Sequence, residues 1–131
     1  MNARFENSLL VEPIPGDDLR WRLMRTLTYR VNSGRGQLSI SVPRGFITDF
    51  ASIPRVFWRV ILPTGRHREA AVVHDYLYAV GDRHKAVADA IFLEAMTVLG
   101  VPRWRRWVMF FAVLFFGGKA WNGHRQRDTV F

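Results

Sequence analysis

No cysteine occurs anywhere in the 131 residues. That absence excludes a disulfide framework and a thiolate metal site, and it suits synthesis in a cytoplasm. Long apolar runs are missing too. Met1 to Leu10 has neither a sustained apolar core nor a small-residue cleavage pattern, so no signal peptide is expected. The longest apolar stretch, WVMFFAVLFFGG from Trp107 to Gly118, falls short of the roughly 20 residues that a bilayer span needs. No transmembrane helix is expected from it. Internal repeats and low-complexity tracts are absent, as is any HExxH spacing. His67, His84 and His124 are scattered, which leaves zinc without a ligand set. Ser52 lacks the glycine-flanked elbow that exposes a nucleophile and reads as a loop or helix-start hydroxyl. Acid is the minority charge, with 11 Asp and Glu against 19 Lys and Arg, a formal net charge of +8. Such a chain is attracted to polyanions: nucleic acid, an anionic phospholipid surface or acidic wall polymers. The arginines are spread along the chain with no helix-turn-helix, zinc finger or stacking platform, so nucleic acid is the least favoured of these partners.

Hydrophobic residues make up 49% of the chain, enough for one domain over residues 1–131 to bury a single core. Its two parts are patterned differently. In residues 1–48 the apolar positions alternate: Leu9, Val11 and Ile14, then a Pro-Gly-Asp-Asp turn, then Trp21 and Leu23, and Leu27, Tyr29 and Val31. The Ser33-Gly34-Arg35-Gly36 turn follows, then Leu38, Ile40 and Val42. This predicts a small antiparallel sheet of about three or four strands. Pro43-Arg44-Gly45 and a loop through Pro54 lead into residues 55–125, where the apolar period becomes helical. A short helical stretch is expected around Val56 to Ile61, followed by helices over 68–80, 84–99 and 103–121. The order of elements defines an α+β fold: a sheet first, then three main helices, the first two an antiparallel pair.

Four acidic or imidazole side chains interrupt these apolar patterns: Asp49 in TDFASIPR, His74 and Asp75 in HDYLY, and Asp89 in ADAIF. Ala70, Ala71, His74, Leu77 and Tyr78 fall on one helical stripe, and Ala86, Asp89, Phe92, Leu93 and Met96 on the next. His74 and Asp89 therefore both point inward. The connection through Gly81-Asp82-Arg83-His84 is so short that the two helices must be neighbours, which brings imidazole and carboxylate face to face. A buried carboxylate without a partner costs roughly 2 kcal/mol or more, so pairing is the cheaper arrangement.

A histidine whose ring N–H is held by a carboxylate has a fixed tautomer, and its other nitrogen can take a proton from water. The same pattern also describes a core histidine that pins two helices together. Asp75 lies about 100° around the helix from His74, where a carboxylate can hold a hard cation beside the base, joined by Asp49 from the preceding loop. Trp121 and His124, at helical spacing, are candidates to close over His74.

Two resemblances rest on these residues. The run GFITDFASIPR, then HDYLY, then ADAIFLEAM with GVPRWRRW, resembles a family of small phage and prophage proteins of uncharacterised function, over nearly the whole chain. More locally, HDYLY followed by ADAIF resembles the active-site helices of the secreted calcium-dependent phospholipases, particularly the capsid-borne phospholipase domain of parvoviruses. That likeness implies His74 as the base that activates water, Asp75 as a ligand of calcium or another divalent cation, Asp89 as the carboxylate orienting the histidine, and Tyr78 as its support. The glycine-rich calcium loop of those enzymes is not present upstream of His74. Phe46 to Arg55, with Asp49 and Pro54, takes its place, and the disulfides of the secreted enzymes are missing.

Two readings of different class follow. In one, a phage-associated hydrolase uses His74 and Asp89, with a cation at Asp75 and Asp49, against a cell-envelope phospholipid or peptidoglycan. In the other, a noncatalytic virion, tail or assembly component uses the same residues to hold its fold together. Both place its synthesis in the bacterial host cytoplasm, with other phage structural proteins, the host envelope or an anionic membrane surface as partners and the virion as a destination. The aromatic stretch from Trp107 is either a buried central helix, a docking surface for a partner, or a helix lying in a membrane interface.

Overall fold

The computed structural model describes residues 2–16, 20–33, 36–48, 68–118 and 121–123. Two compact units divide the chain, Met1–Asp49 and Phe50–Phe131, at the point where the apolar pattern changes period.

The first unit is built from antiparallel strands. β1 (Asn2–Phe5), β4 (Leu27–Ser33) and β5 (Gly36–Val42) form one sheet in the order β1-β4-β5. β2 (Val11–Pro13), β3 (Trp21–Leu23) and β6 (Ile47–Thr48) form a second, in the order β2-β3-β6. The β4–β5 register sets Leu27 opposite Val42, Tyr29 opposite Ile40 and Val31 opposite Leu38. Leu27, Tyr29, Val31, Ile40 and Val42 are buried, so the alternation read from the sequence marks the core face. Phe5 stands opposite Tyr29 with ring centroids 4.8 Å apart. In the other sheet Arg22 meets Glu12 directly across the strands at 3.1 Å. Pro13, which lacks a ladder donor, sits on the edge strand β2.

Where one sheet of three or four strands is expected, the described residues form two sheets of three. β1 and β6 are the additional strands, and β6 falls within the stretch expected to be a loop.

The second unit holds the helices α1 (Arg68–Val80), α2 (Lys85–Val98) and α3 (Arg103–Phe116). α1 packs on α2, and α2 on α3. Gly81, at φ +67°, ends α1 in a left-handed conformation that costs glycine little. α2 ends in a Schellman motif: Val101 N–H donates to the Met96 carbonyl and Gly100 N–H to the Thr97 carbonyl, with Gly100 at φ +78°. Strands first and helices after, with the first two helices an antiparallel pair, make this an α+β fold as the patterns predict. Helical residues recur at 118 and 121–123, but α3 itself stops at Phe116, where a glycine at 117 weakens helix continuation, rather than at 121. The expected short helix around Val56 to Ile61 lies outside the described residues.

Candidate functional site

α1 is buried along nearly its whole length, from Ala70 to Asp75 and again at Leu77 and Tyr78. His74 and Tyr78 stand one turn apart on it, so both side chains face the same way. α2 buries Ala88, Asp89, Ile91, Phe92, Ala95 and Met96. Ala86, expected in the buried stripe, is exposed and Leu93 half-buried; the stripe is rotated toward Ala88 and Ile91.

Asp89 is where the two helices meet. Its Oδ1 lies 2.7 Å from His74 Nε2 and accepts a hydrogen bond from Tyr78 Oη, also at 2.7 Å. Its Oδ2 accepts from Lys85 Nζ at 2.8 Å. His74, Tyr78 and Asp89 are all wholly inaccessible, and the Lys85 side chain is 22% exposed. The imidazole lies between two rings, 4.3 Å from Tyr78 and 4.7 Å from Phe92 by centroid. Trp121 packs edge-on against Tyr78 at 5.2 Å. His124 and Asp49 lie outside the described residues.

These contacts fix the protonation states. Burial pulls the His74 pKa below its ordinary value, and its contacts with Asp89 only partly oppose that pull, so the ring is neutral at pH 7. For Asp89 burial alone pushes the other way, toward protonation, but donors from His74, Lys85 and Tyr78 outweigh it and hold the carboxyl below the usual range. Tyr78 is raised well above an ordinary phenol, first by burial and then by the hydrogen bond to Asp89, so it remains a donor. An ionised Asp89 beside a neutral imidazole requires the proton on Nε2. Nδ1 then carries the ring's lone pair.

Lys85 was not legible as part of this arrangement. It opens α2, where the helix dipole disfavours a cation, and so its position needs another cause. Asp89 one turn on supplies it, together with the carbonyl oxygens of Val113 at 2.9 Å and Leu114 at 3.2 Å near the C-terminal end of α3. The signal was present in the i,i+4 spacing from Lys85 to Asp89, and in Lys85 being one of two lysines, with Lys119, in an arginine-rich chain.

Asp75 is 3% exposed and offers the hard carboxylate oxygen that calcium prefers. Among the described residues no group of three or more His, Asp or Glu side chains stands close enough to hold a metal ion. The described donors thus supply one candidate ligand and not a full shell.

Fold and site together define a class: an α+β protein in which an antiparallel helix pair buries a His–Asp dyad braced by tyrosine and lysine. The chain belongs to the DUF1353 family, described as a protein of unknown function, which it matches over residues 21–113. His74, Asp75, Tyr78, Lys85 and Asp89 all fall in that range. It is also 36% identical over 78 residues to the uncharacterized protein y4jT of Sinorhizobium fredii, a match covering 58% of this chain and 23% of that protein. The chain therefore spans under a quarter of that relative's length. No solved structure matches.

Proposed function

We propose that this protein is a phage-associated hydrolase in which His74 and Asp89 activate water against an ester of the cell envelope. Phospholipid is the substrate class that the resemblance of HDYLY and ADAIF favours; a peptidoglycan amide is the rival. The observation that carries the reading is Asp89 Oδ1, which takes both His74 Nε2 and Tyr78 Oη at 2.7 Å. That fixes the tautomer and ring plane of a neutral histidine.

His74 is wholly buried, so the step requires the site to open; Nδ1 then takes a proton from water as the oxygen adds to the carbonyl carbon. The imidazolium that forms is stabilised by the Asp89 carboxylate on its other face. Collapse of the tetrahedral intermediate expels the alkoxide, which takes the proton back from Nδ1. The lowered His74 pKa keeps the base unprotonated at neutral pH. Asp75, with Asp49 as a further ligand, would hold a divalent cation, which would polarise the carbonyl. Other phage structural proteins and the host envelope are the partners that belong to this reading.

The experiment is hydrolysis of phospholipid vesicles and of peptidoglycan by the wild type and by His74→Gln. Gln retains an N–H for Asp89 but has no basic nitrogen. Activity on either substrate in the wild type, lost in the variant at an unchanged Tm, is the expected result. Equal activity in both proteins, or none in the wild type, overturns the proposal.

A second reading, the noncatalytic assembly component, is favoured by one observation: Lys85 extends the network from Asp89 to the Val113 and Leu114 carbonyls of α3. Under it neither protein is active, and His74→Ala lowers Tm sharply because the Asp89 carboxylate loses a donor.

A further inference from the structure

α3 carries 14 residues, RWRRWVMFFAVLFF, and buries three of them: Met109, Ala112 and Val113. Its opposite face is apolar and exposed. Trp104, Trp107, Val108, Phe111, Leu114 and Phe115 lie at 37% to 69% exposure. At 100° per residue these six fall within an arc of about 120°. Trp107, Phe111 and Phe115 stack along it, with ring centroids 5.8 and 5.9 Å apart. An ordinary surface helix turns its polar side to water; this one turns a ladder of rings outward.

Charge chooses the occupant. Arg103, Arg105 and Arg106 crowd the first turn, at the positive end of the helix dipole, and α3 contains no acidic residue. Among the described residues none of the three meets a carboxylate, and the Arg105 guanidinium lies 5.2 Å from the Trp104 ring. A second copy laid along this face brings further cations and no acid, on a chain that already carries +8. The complementary surface is apolar inside and anionic outside. Among the described residues no helix is long and apolar enough to cross a membrane, and 14 residues extend only about 21 Å. That length suits a helix lying in the interface plane, with its rings at the acyl boundary and its arginines among the phosphates.

We propose that the Trp104–Phe115 face of α3 docks this protein on an anionic phospholipid bilayer. The docking side chains include none of His74, Asp75, Tyr78 and Asp89, so docking stands or falls without hydrolysis.

The test is co-sedimentation of the full chain with vesicles of phosphatidylcholine alone and of phosphatidylcholine mixed with phosphatidylglycerol, with quenching of tryptophan emission by brominated acyl chains. The expected result is binding to the anionic vesicles, weakened by salt, quenched by the bromolipid, and weakened at least about tenfold in Phe111→Glu/Phe115→Glu. Both positions are exposed, so the variant keeps the wild-type Tm. His74→Gln binds like the wild type, which separates docking from hydrolysis. Equal binding to neutral and anionic vesicles overturns the proposal, as does undiminished binding by the double variant. A wild-type dimer in sedimentation velocity that the double variant dissolves, without vesicle binding, also overturns it and assigns the face to a second copy.

Discussion

Lys85 Nζ lies 2.8 Å from Asp89 Oδ2, one helical turn away, and from the same position donates to the Val113 and Leu114 carbonyls of α3. One cation thus neutralises the buried carboxylate and caps the negative end of another helix. Replacing it by Met leaves Asp89 with its two donors from α1 but without a counter-charge. We expect Lys85→Met to lose about 2–3 kcal/mol in urea unfolding. Because the Lys85 charge is one of the influences lowering the His74 pKa, the His74 titration followed by NMR should move upward in the variant. An unchanged titration means that Lys85 acts on stability alone.

Tyr78→Phe isolates the phenol. It removes one of two donors to Asp89 Oδ1 and keeps the ring that packs on His74 and Trp121. A hydrogen bond to a charged acceptor contributes about 1.5–3 kcal/mol, and a loss of that size is expected by chemical denaturation. If hydrolysis is found, its rate should fall less than in His74→Gln, since the dyad itself remains. A neutral effect on stability means that a water replaces the hydroxyl.

Both helices of the site, and the pairing of His74 with Asp89, were legible because offsets of three and four residues project side chains onto one face and a four-residue connection leaves the second helix no other neighbour. Lys85 was not, because a lysine at a helix start reads as solvated until its partner one turn on is known to be buried. The exposed face of α3 was equally hidden. A helix apolar on nearly every side carries little contrast to say which side is covered, and only Met109, Ala112 and Val113 proved to be buried. In the first unit the alternation in β4 and β5 identified Tyr29, Ile40 and Val42 as core. β1, however, pairs with β4 past two intervening strands, and such a non-local pairing leaves no local pattern. β6, two residues long, is too short to show one.

Acid should destabilise the protein in two stages. His74 and Asp89 both have folded pKa values below their ordinary ones. Between the two values the unfolded chain binds the proton and the folded chain does not, so the stability each contributes is complete above the ordinary value and drains as pH falls. For His74 the loss begins below 6.5, with a slope of at most about 1.4 kcal/mol per pH unit. Asp89 adds a second loss below 3.8. Urea midpoints across this range should therefore fall from about pH 6.5 downward in the wild type, and His74→Gln should flatten the upper stage while leaving the lower one. A wild-type midpoint that holds level from neutral pH down to 4 contradicts the depressed histidine.

Asp75 decides whether a metal belongs to the chemistry. It is a buried carboxylate next in sequence to His74, and under the proposed function the resemblance of HDYLY implies it as a calcium ligand. Calorimetric titration of calcium into the wild type is expected to show saturable binding that Asp75→Asn abolishes, with hydrolysis lost in chelator and restored by calcium. The Asn variant is isosteric, so a preserved Tm separates loss of a ligand from loss of fold. If neither protein binds calcium and hydrolysis survives chelation, the water is activated by His74 and Asp89 alone, and Asp75 is a structural acid of α1. If neither binds and nothing is hydrolysed, the network is what holds the helices together, and Lys85→Met and His74→Ala become the variants that measure its strength.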